Sequence, residues 1–169
     1  MELQVSAALK LPGKVFEGSF AERLPDQEFG GRKLTFAEPV RLDITYSYDG
    51  EALALSGELA VVLSSLCASC NETFCEKLNI PVDERFVKGE LPQDTEAYSF
   101  DADRINLDTM VLDNIFLSIP IRSLCKEDCA GLCPACGCNK NMVSCSCDVW
   151  EEKSPLAALS QLLKDDKEV

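Results

Sequence analysis

The sequence predicts an α+β protein in which an antiparallel β-sheet, a meander or an open barrel-like sheet, carries one helix and a small C-terminal cysteine-rich module. Two observations lead to this prediction. Apolar residues recur with a period of two through the middle of the chain, as in strands with one buried face. Seven of the ten cysteines fall within residues 125–147. We therefore expect a sheet domain with one helix over residues 1–120, and over residues 121–169 the cysteine-rich module with a terminal helix packed on it.

The central strands are predicted to form a hairpin. Residues 40–48 alternate apolar and polar side chains, and the same period continues from Leu53 to Leu63. Asp49-Gly50 lies between the two runs, and Asp-Gly is a preferred dipeptide of tight hairpin turns. One face of this hairpin is therefore expected to be buried.

Further strands are predicted on either side of this hairpin. Residues 73–86 form a third strand, with its apolar residues on one face and Cys75 on the opposite, polar face. Residues 3–9 and 15–20 are predicted as edge strands. Two stretches rich in charge, Gly and Pro are predicted as connecting loops: 21–33 and 88–104.

Helical periodicity occurs twice. Residues 108–118 place apolar side chains on one stripe, and Pro120 ends the run because proline cannot continue a helix. After the cysteines, Ser154 is a favourable N-cap and Pro155 a favourable first helical residue. The sequence therefore predicts a terminal helix that begins there.

The charge pattern narrows the function classes. The formal net charge is −13, from 16 basic and 29 acidic residues. Because nucleic acids are bound largely through phosphate neutralisation by Lys and Arg, this chain is a poor general binder of free RNA or DNA and better suits a basic partner. It shows no secretory signal pattern, and no apolar run approaches the roughly 20 residues of a transmembrane helix. We expect a cytoplasmic location and no membrane partner.

The cysteine spacing predicts a zinc site within the C-terminal module. Clustered cysteines in a cytoplasmic chain are more often metal ligands than disulfide partners. Cys133 and Cys136 form a CxxC knuckle, and Cys145 and Cys147 follow closely. A knuckle and a nearby cysteine pair can supply the four thiolates of a tetrahedral zinc site. The first predicted zinc site is therefore Cys133, Cys136, Cys145 and Cys147.

A second zinc site is predicted to bridge the two parts of the chain. Cys67 and Cys70 form another CxxC pair, at the corner between the second and third predicted strands. Cys125 and Cys129 precede the first site, and neither pair has a complete ligand set of its own. The economical prediction is one shared site that clips the C-terminal module to the sheet.

These cysteines allow several alternative assignments. Cys75 and Cys138 are left over, and Cys138 could replace Cys136 as a ligand. An iron–sulfur cluster also takes four thiolates, but the ferredoxin spacing is absent, so zinc is favoured while iron stays open. A thioredoxin-like redox pair follows a strand and opens a helix, whereas Cys67 and Cys70 lie between predicted strands.

No arrangement for catalysis presents itself in the sequence. The chain has no histidine, no phosphate-binding glycine loop and no nucleophile beside a base. A four-thiolate zinc site leaves no coordination position open for water, which makes it structural. We expect no enzymatic activity and no small-molecule substrate.

These residues resemble a known family. A CxxC pair at a strand end, then "LSIPIRSLCKEDCAGLCPACG", then "CSC" and a helix opening "SPLAAL" are similar to the bacterial YceD family, the large ribosomal RNA subunit accumulation proteins. The resemblance covers about residues 30–165. Family members often carry an Asn-Leu-Asn-like stretch after the second knuckle, where this chain reads "CNKNMVSCSC" with Cys138 extra.

The resemblance implies a role in 23S rRNA accumulation or processing, and hence in assembly of the large ribosomal subunit. The implied partner is a ribosomal protein or a pre-50S particle, with 23S rRNA as a further candidate. The leading hypothesis is a non-enzymatic, zinc-stabilised factor that binds a basic partner through an acidic surface, with the connector 90–103 and the terminal helix as candidates.

Two alternatives to this function remain open. One is a cysteine-based redox or metal sensor, in which Cys138 trades places with a ligand. The other is a direct RNA-binding zinc-knuckle protein. It would have to gather the few nearby basic residues: Arg104, Arg122, Lys126, Lys140 and Lys153.

Overall fold

The computed structural model describes residues 1–89, 97–101 and 103–147, and nine strands and two helices lie in this part of the chain. The predicted terminal helix and most of the connector 90–103 fall outside the described residues. The strands are β1 (Glu2–Gln4), β2 (Val15–Glu22), β3 (Gln27–Phe29), β4 (Arg32–Phe36), β5 (Val40–Tyr48), β6 (Ala52–Leu66), β7 (Thr73–Lys88), β8 (Tyr98–Phe100) and β9 (Arg104–Asn106). The helices are α1 (Ser6–Lys10) and α2 (Asp108–Ser118).

Seven strands form one mostly antiparallel sheet around β6. One edge of β6 pairs with β7 along its whole length, and the other pairs first with β5 and then with β4. β2 adds to β5, β3 adds to β4, and β8 lies parallel to β7. In the described part of the chain no ladder joins β2 to β8, so the sheet is open. The predicted meander of β5, β6 and β7 is confirmed.

The buried face of the sheet is the one that the alternating pattern predicts. Val40, Leu42 and Ile44 of β5 are buried, and α2 buries Met110, Val111 and Ile115 in the same core. Together with leucines of β6 they form one continuous apolar cluster. Burying a side chain of this size contributes about 1.5–3 kcal/mol, so the core accounts for the stability of the long hairpin.

The prediction of an edge strand over residues 3–9 is wrong for most of that range. β1 ends at Gln4, and Ser6–Lys10 form α1 instead. Val5 and Ala8 are fully buried and Leu9 packs against the core, which is helical spacing. β1 pairs with β9 in a separate two-stranded sheet, whereas the prediction for 15–20 is confirmed and extended by β2.

The prediction of a loop over residues 21–33 is also wrong in part. β3 and β4 form a short hairpin whose two-residue turn is Gly30-Gly31. Both glycines have positive φ, +57° and +75°, which is the conformation that such hairpin turns require. Strands of three and five residues are too short to show a reliable alternation, and this is why the pattern missed them.

The other predicted loop, 88–104, contains strand residues at its end. β8 adds a parallel edge to β7, and β9 begins at Arg104. The division into 1–120 and 121–169 stays a prediction. Among the described residues, neither helix has the length and apolar character needed to cross a bilayer.

Candidate metal centres

The tip of the β6–β7 hairpin forms a cysteine knuckle. Its backbone closes on itself, because the Asn71 N–H donates to the Cys67 carbonyl and the Cys67 N–H donates to the Glu72 carbonyl, both at 2.9 Å. Asn71 has a φ of +58°, a left-handed conformation that asparagine tolerates better than most residues. Both knuckle cysteines, Cys67 and Cys70, are buried.

The segment after α2 brings two more thiols to this knuckle. The Ala68 N–H donates to the Ser123 carbonyl at 2.9 Å, which fixes the segment against the hairpin tip. The Ser123 hydroxyl donates to the Glu76 carboxylate of β7 at 2.9 Å. These contacts place Cys125 and Cys129 beside the knuckle.

The four thiols of the predicted bridging site lie within 4.8 Å of one another: Cys67, Cys70, Cys125 and Cys129. We call this cluster the first centre, because its knuckle comes first in the chain. The sulfurs of Cys67 and Cys129 are 3.7 Å apart, and those of Cys70 and Cys125 are 3.6 Å apart. A disulfide needs about 2.05 Å. Four sulfurs at the usual zinc–sulfur distance of about 2.3 Å form a tetrahedron with edges of about 3.8 Å. The observed spacing therefore fits a tetrahedral thiolate metal site and is too long for disulfide bonds.

The second knuckle repeats the local geometry of the first. The Gly137 N–H donates to the Cys133 carbonyl, and the Cys133 N–H donates to the Cys138 carbonyl, both at 2.8 Å. Gly137 has a φ of +72°, which glycine adopts at no steric cost. Cys145 and Cys147 join this knuckle. The four thiols of the site predicted within the C-terminal module, here called the second centre, also lie within 4.8 Å of one another: Cys133, Cys136, Cys145 and Cys147.

The first cysteine of each knuckle has a strongly lowered pKa. A hydrogen bond from the Cys125 backbone N–H, with others from the knuckle itself, lowers the pKa of Cys67 to about 6. Backbone N–H groups of Cys136 and Ala135 lower the pKa of Cys133 to about 6. Both thiols are therefore ionised at neutral pH and ready to bind a cation.

In each centre another thiol resists ionisation. Loss of hydration raises the pKa of Cys125 to about 12, and the neighbouring Cys129 adds to the effect. Contact with the Cys136 sulfur raises the pKa of Cys147 to about 12. Four negative sulfurs so close together repel one another, and a divalent cation between them would remove that cost. The donor sets thus fit a soft metal ion, and either centre could hold one.

The two leftover cysteines have different surroundings. Cys75 is exposed on the outer face of the sheet. Cys138 contacts Cys136 and Cys145, and these contacts raise the pKa of Cys138 to about 12. The second centre therefore has a fifth thiol at its edge, which keeps ligand exchange by Cys138 chemically open.

The contacts of the asparagines around the centres could not be predicted from the sequence. The Asn141 side-chain amide donates to the Cys129 sulfur at 3.4 Å, and this contact is the main cause of the lowered pKa of Cys129. The Asn139 amide donates to Glu72, next to the first knuckle. The only sequence signal was the paired asparagines in "CNKNM", whose role depends on how the loop folds back.

The fold and the centres define a class of protein. It is an antiparallel-sheet protein whose longest hairpin ends in a cysteine knuckle, completed by two thiols from the segment after the helix and followed by a second four-thiol cluster. A family model described as "Large ribosomal RNA subunit accumulation protein YceD" matches residues 55–163, more than half of the chain. The chain belongs to this family, which confirms the resemblance.

Curated relatives come from mycobacteria. The chain is 26% identical over 101 residues to "Uncharacterized protein Rv2926c" of Mycobacterium tuberculosis, covering 57% of this chain and 49% of the relative. It is 22% identical over 110 residues to "Uncharacterized protein ML1660" of Mycobacterium leprae, covering 62% of this chain and 50% of the relative. The chain therefore spans about half the length of these relatives. No solved structure matches it significantly.

Proposed function

We propose that this protein is a non-enzymatic, zinc-stabilised cytoplasmic factor for 23S rRNA accumulation and large-subunit assembly. Membership of the YceD family is the observation that carries the proposal, since the family is described by large ribosomal RNA subunit accumulation. Its partner is a ribosomal protein or a pre-50S particle.

Zinc has a structural part in this proposal. Each centre offers four thiols, the donor set that structural zinc sites use and that leaves no position open for a substrate. Zinc would supply the positive charge that lets all four thiols ionise. The first centre would then hold the segment after α2 against the tip of the β6–β7 hairpin.

The sheet offers a surface that fits a basic partner. Four exposed carboxylates point away from the core on four adjacent strands and form what we call the acidic sheet face: Glu17, Asp43, Glu58 and Asp83. None of them takes part in an ion pair with the described residues. Arg41 of β5 lies on the same face, two residues from Asp43. We propose that a basic segment of a large-subunit ribosomal protein binds here, because complementary charge speeds association and favours it.

Direct binding to RNA phosphates has less support. Of the five nearby basic residues, Lys153 lies outside the described residues, and three others contact groups of the protein. Arg122 donates to the Ser69 hydroxyl, Arg104 pairs with Glu2, and Lys126 pairs with Asp128. A phosphate track needs several cations free to face the same way.

The proposal is tested by removing the gene from the host and measuring the ratio of 23S to 16S rRNA, with ribosomal particles resolved on sucrose gradients. We expect a lowered ratio and accumulated large-subunit precursors, both restored by the wild-type gene. An unchanged ratio and a normal particle profile in the deletion strain would contradict the proposed function.

The same strain separates the roles of the cysteines. A gene with Cys75→Ser should restore 23S rRNA as well as the wild type, because Cys75 belongs to neither centre. A gene with Cys67→Ser and Cys70→Ser should fail, since it lacks the knuckle of the first centre. Equal rescue by both variants would refute a supporting role for the first centre.

A further inference from the structure

The two centres are joined by a loop that belongs to one and contacts the other. Residues 139–143, here called the bridging loop, lie between Cys136 and Cys145. Candidate ligands of the second centre therefore flank this loop on both sides. Its middle turns toward the first centre, where it contacts the sulfur of Cys129.

Asn141 is the residue that makes this contact. Its Nδ2 donates to the Cys129 sulfur at 3.4 Å, and its Oδ1 accepts from the Ala130 backbone N–H at 2.9 Å. Its backbone N–H and its Nδ2 also donate to the Asn139 Oδ1, at 3.0 and 2.8 Å. The side chain is thus held in one orientation, with its donor aimed at a ligand sulfur of the first centre.

Other hydrogen bonds also join the segment of the second centre to the first knuckle. The Asn139 Nδ2 donates to the Glu72 carboxylate at 3.3 Å, beside the first knuckle. The Leu132 N–H, next to Cys133 of the second centre, donates to the Ser69 carbonyl inside the first knuckle at 3.0 Å. The Lys140 N–H donates to the carbonyl of Gly131, the residue before Leu132, which holds the bridging loop beside this segment.

A donor to a ligating sulfur orients the ligand and stabilises its negative charge, and losing such a partner typically lowers metal affinity about 10–100-fold. The donor here belongs to the bridging loop, so its position follows from the path of that loop. A metal in the second centre would hold Cys136 and Cys145, which flank that loop. Loading the second centre would therefore strengthen binding at the first, and by thermodynamic reciprocity loading the first would strengthen the second.

We propose that the two centres load as a coupled pair and that Asn141 is the positioning residue that carries the coupling. This inference rests on the metal occupancy in the proposed function, but not on the role in 23S rRNA accumulation. In this proposal the bridging loop transmits the metal occupancy of the second centre to the first centre, at the tip of the β6–β7 hairpin.

The test measures the occupancy of each centre separately in the full-length protein. Metal-free protein is equilibrated with zinc at free concentrations fixed by a chelator buffer. Occupancy is then read as protection of each cysteine from alkylation, located by peptide mass spectrometry. This gives one zinc midpoint for Cys67, Cys70, Cys125 and Cys129, and another for the four cysteines of the second centre.

Asn141→Asp is the decisive variant because it keeps the shape and the acceptor for Ala130 but replaces the donor with a carboxylate. We expect the midpoint of the first centre to move to about 10–100-fold higher free zinc. Lys140→Ala is the matched control, since this neighbouring side chain is exposed, and its midpoint should stay within about twofold of the wild type.

A second pair of variants completes a double-mutant cycle. Removing the second centre with Cys145→Ser and Cys147→Ser should weaken the first centre in the wild-type background. In the Asn141→Asp background the same change should have a much smaller effect, because the link is already broken. Far-UV circular dichroism checks that the sheet is retained in each variant.

The outcomes separate the two proposals. An Asn141→Asp midpoint that matches the wild type, with zinc bound at both centres, would overturn the coupling and leave the structural role of zinc standing. A lack of zinc at either centre of the wild type would overturn both the coupling and the zinc part of the proposed function. Neither result depends on the 23S rRNA measurement.

Discussion

Gly57 is a position at which the sheet has no room for a side chain. A Cβ there would overlap the Asp43 carbonyl oxygen and lie 2.8 Å from the Ile44 Cα, both backbone atoms of β5. Gly57→Ala must therefore displace β5, and we expect it to lower the free energy of unfolding by about 3 kcal/mol or more. Urea denaturation measures the change.

Gly18→Ala is the matched control for Gly57. At Gly18 the added Cβ would approach only side chains, the Phe20 ring at 3.2 Å and Ile44 at 3.3 Å, which can shift. We expect a loss of about 1 kcal/mol or less. Equal losses at the two glycines would show that the close approach of β5 and β6 does not limit side-chain size.

The thiol pKa values predict how zinc binding depends on pH. At pH 7.5 Cys67 and Cys133, with pKa values of about 6, are already thiolates, whereas Cys125 and Cys147, with pKa values of about 12, still carry protons. Zinc should therefore release fewer than four protons per centre at this pH. Below pH 6 the two acidic thiols are protonated as well, so zinc affinity should fall more steeply there.

This pH dependence is measured by zinc competition with a chelator from pH 5.5 to 8, alongside proton release detected with an indicator dye in weak buffer. Release of four protons per zinc at pH 7.5 would contradict the lowered pKa values of Cys67 and Cys133. A slope of affinity against pH that stays constant through pH 6 would contradict them too.

The grouping of the cysteines could be derived from the sequence, and the contacts around them could not. CxxC spacing identifies each knuckle because two thiols separated by two residues meet on one side of a tight turn. Pairing Cys67 and Cys70 with Cys125 and Cys129 followed by elimination, and the structure brings these four together. The role of Asn141 could not be predicted, because its contact with Cys129 depends on the path of the whole bridging loop. Metal occupancy stays a prediction.

At the scale of elements, long strands were predictable and short ones were not. β5, β6 and β7 have nine to sixteen residues and a buried face, so their alternation is unmistakable. β3, β8 and β9 have three residues each, and α1 has five, too few for a period to emerge. These short elements exist because the sheet and the core already stand beside them, which is tertiary context that a local pattern does not carry.

Removing the second centre tests whether the sheet is independent of it. The core of β5, β6 and α2 includes none of the cysteines of the second centre. With Cys133→Ser and Cys145→Ser we therefore expect zinc content, measured at saturating zinc, to fall by one per chain while β5–β7 keep their protection in hydrogen exchange. Cys75→Ser is the control and should change neither quantity. Loss of exchange protection throughout the sheet would refute the division at residue 120.

At the scale of the whole molecule, excess negative charge opposes folding and favours a basic partner. The net charge of −13 is distributed over a small protein, and Asp43 lies directly opposite Glu58 in the β5–β6 ladder. Like charges in such a pair are destabilising, by about 0.2–1 kcal/mol. A basic group that binds this face would neutralise the repulsion between Asp43 and Glu58, so the destabilising energy would be recovered on binding.

This arrangement predicts effects of opposite sign on stability and binding. Asp43→Asn with Glu58→Gln should raise the free energy of unfolding by about 0.5 kcal/mol, because the repulsion is removed. The same variant should bind purified large-subunit precursor particles several-fold more weakly at low salt and approach the wild type at high salt, where charge is screened. Co-sedimentation at a series of salt concentrations measures the binding.

Glu38→Gln with Glu51→Gln is the control, since it removes the same net charge from exposed positions outside the acidic sheet face. If overall charge alone attracts the partner, the two double variants should weaken binding equally, and the acidic sheet face loses its role. If this face is the contact, only the Asp43 and Glu58 variant should lose affinity. Because that variant is expected to be the more stable protein, unfolding could not explain its loss of binding.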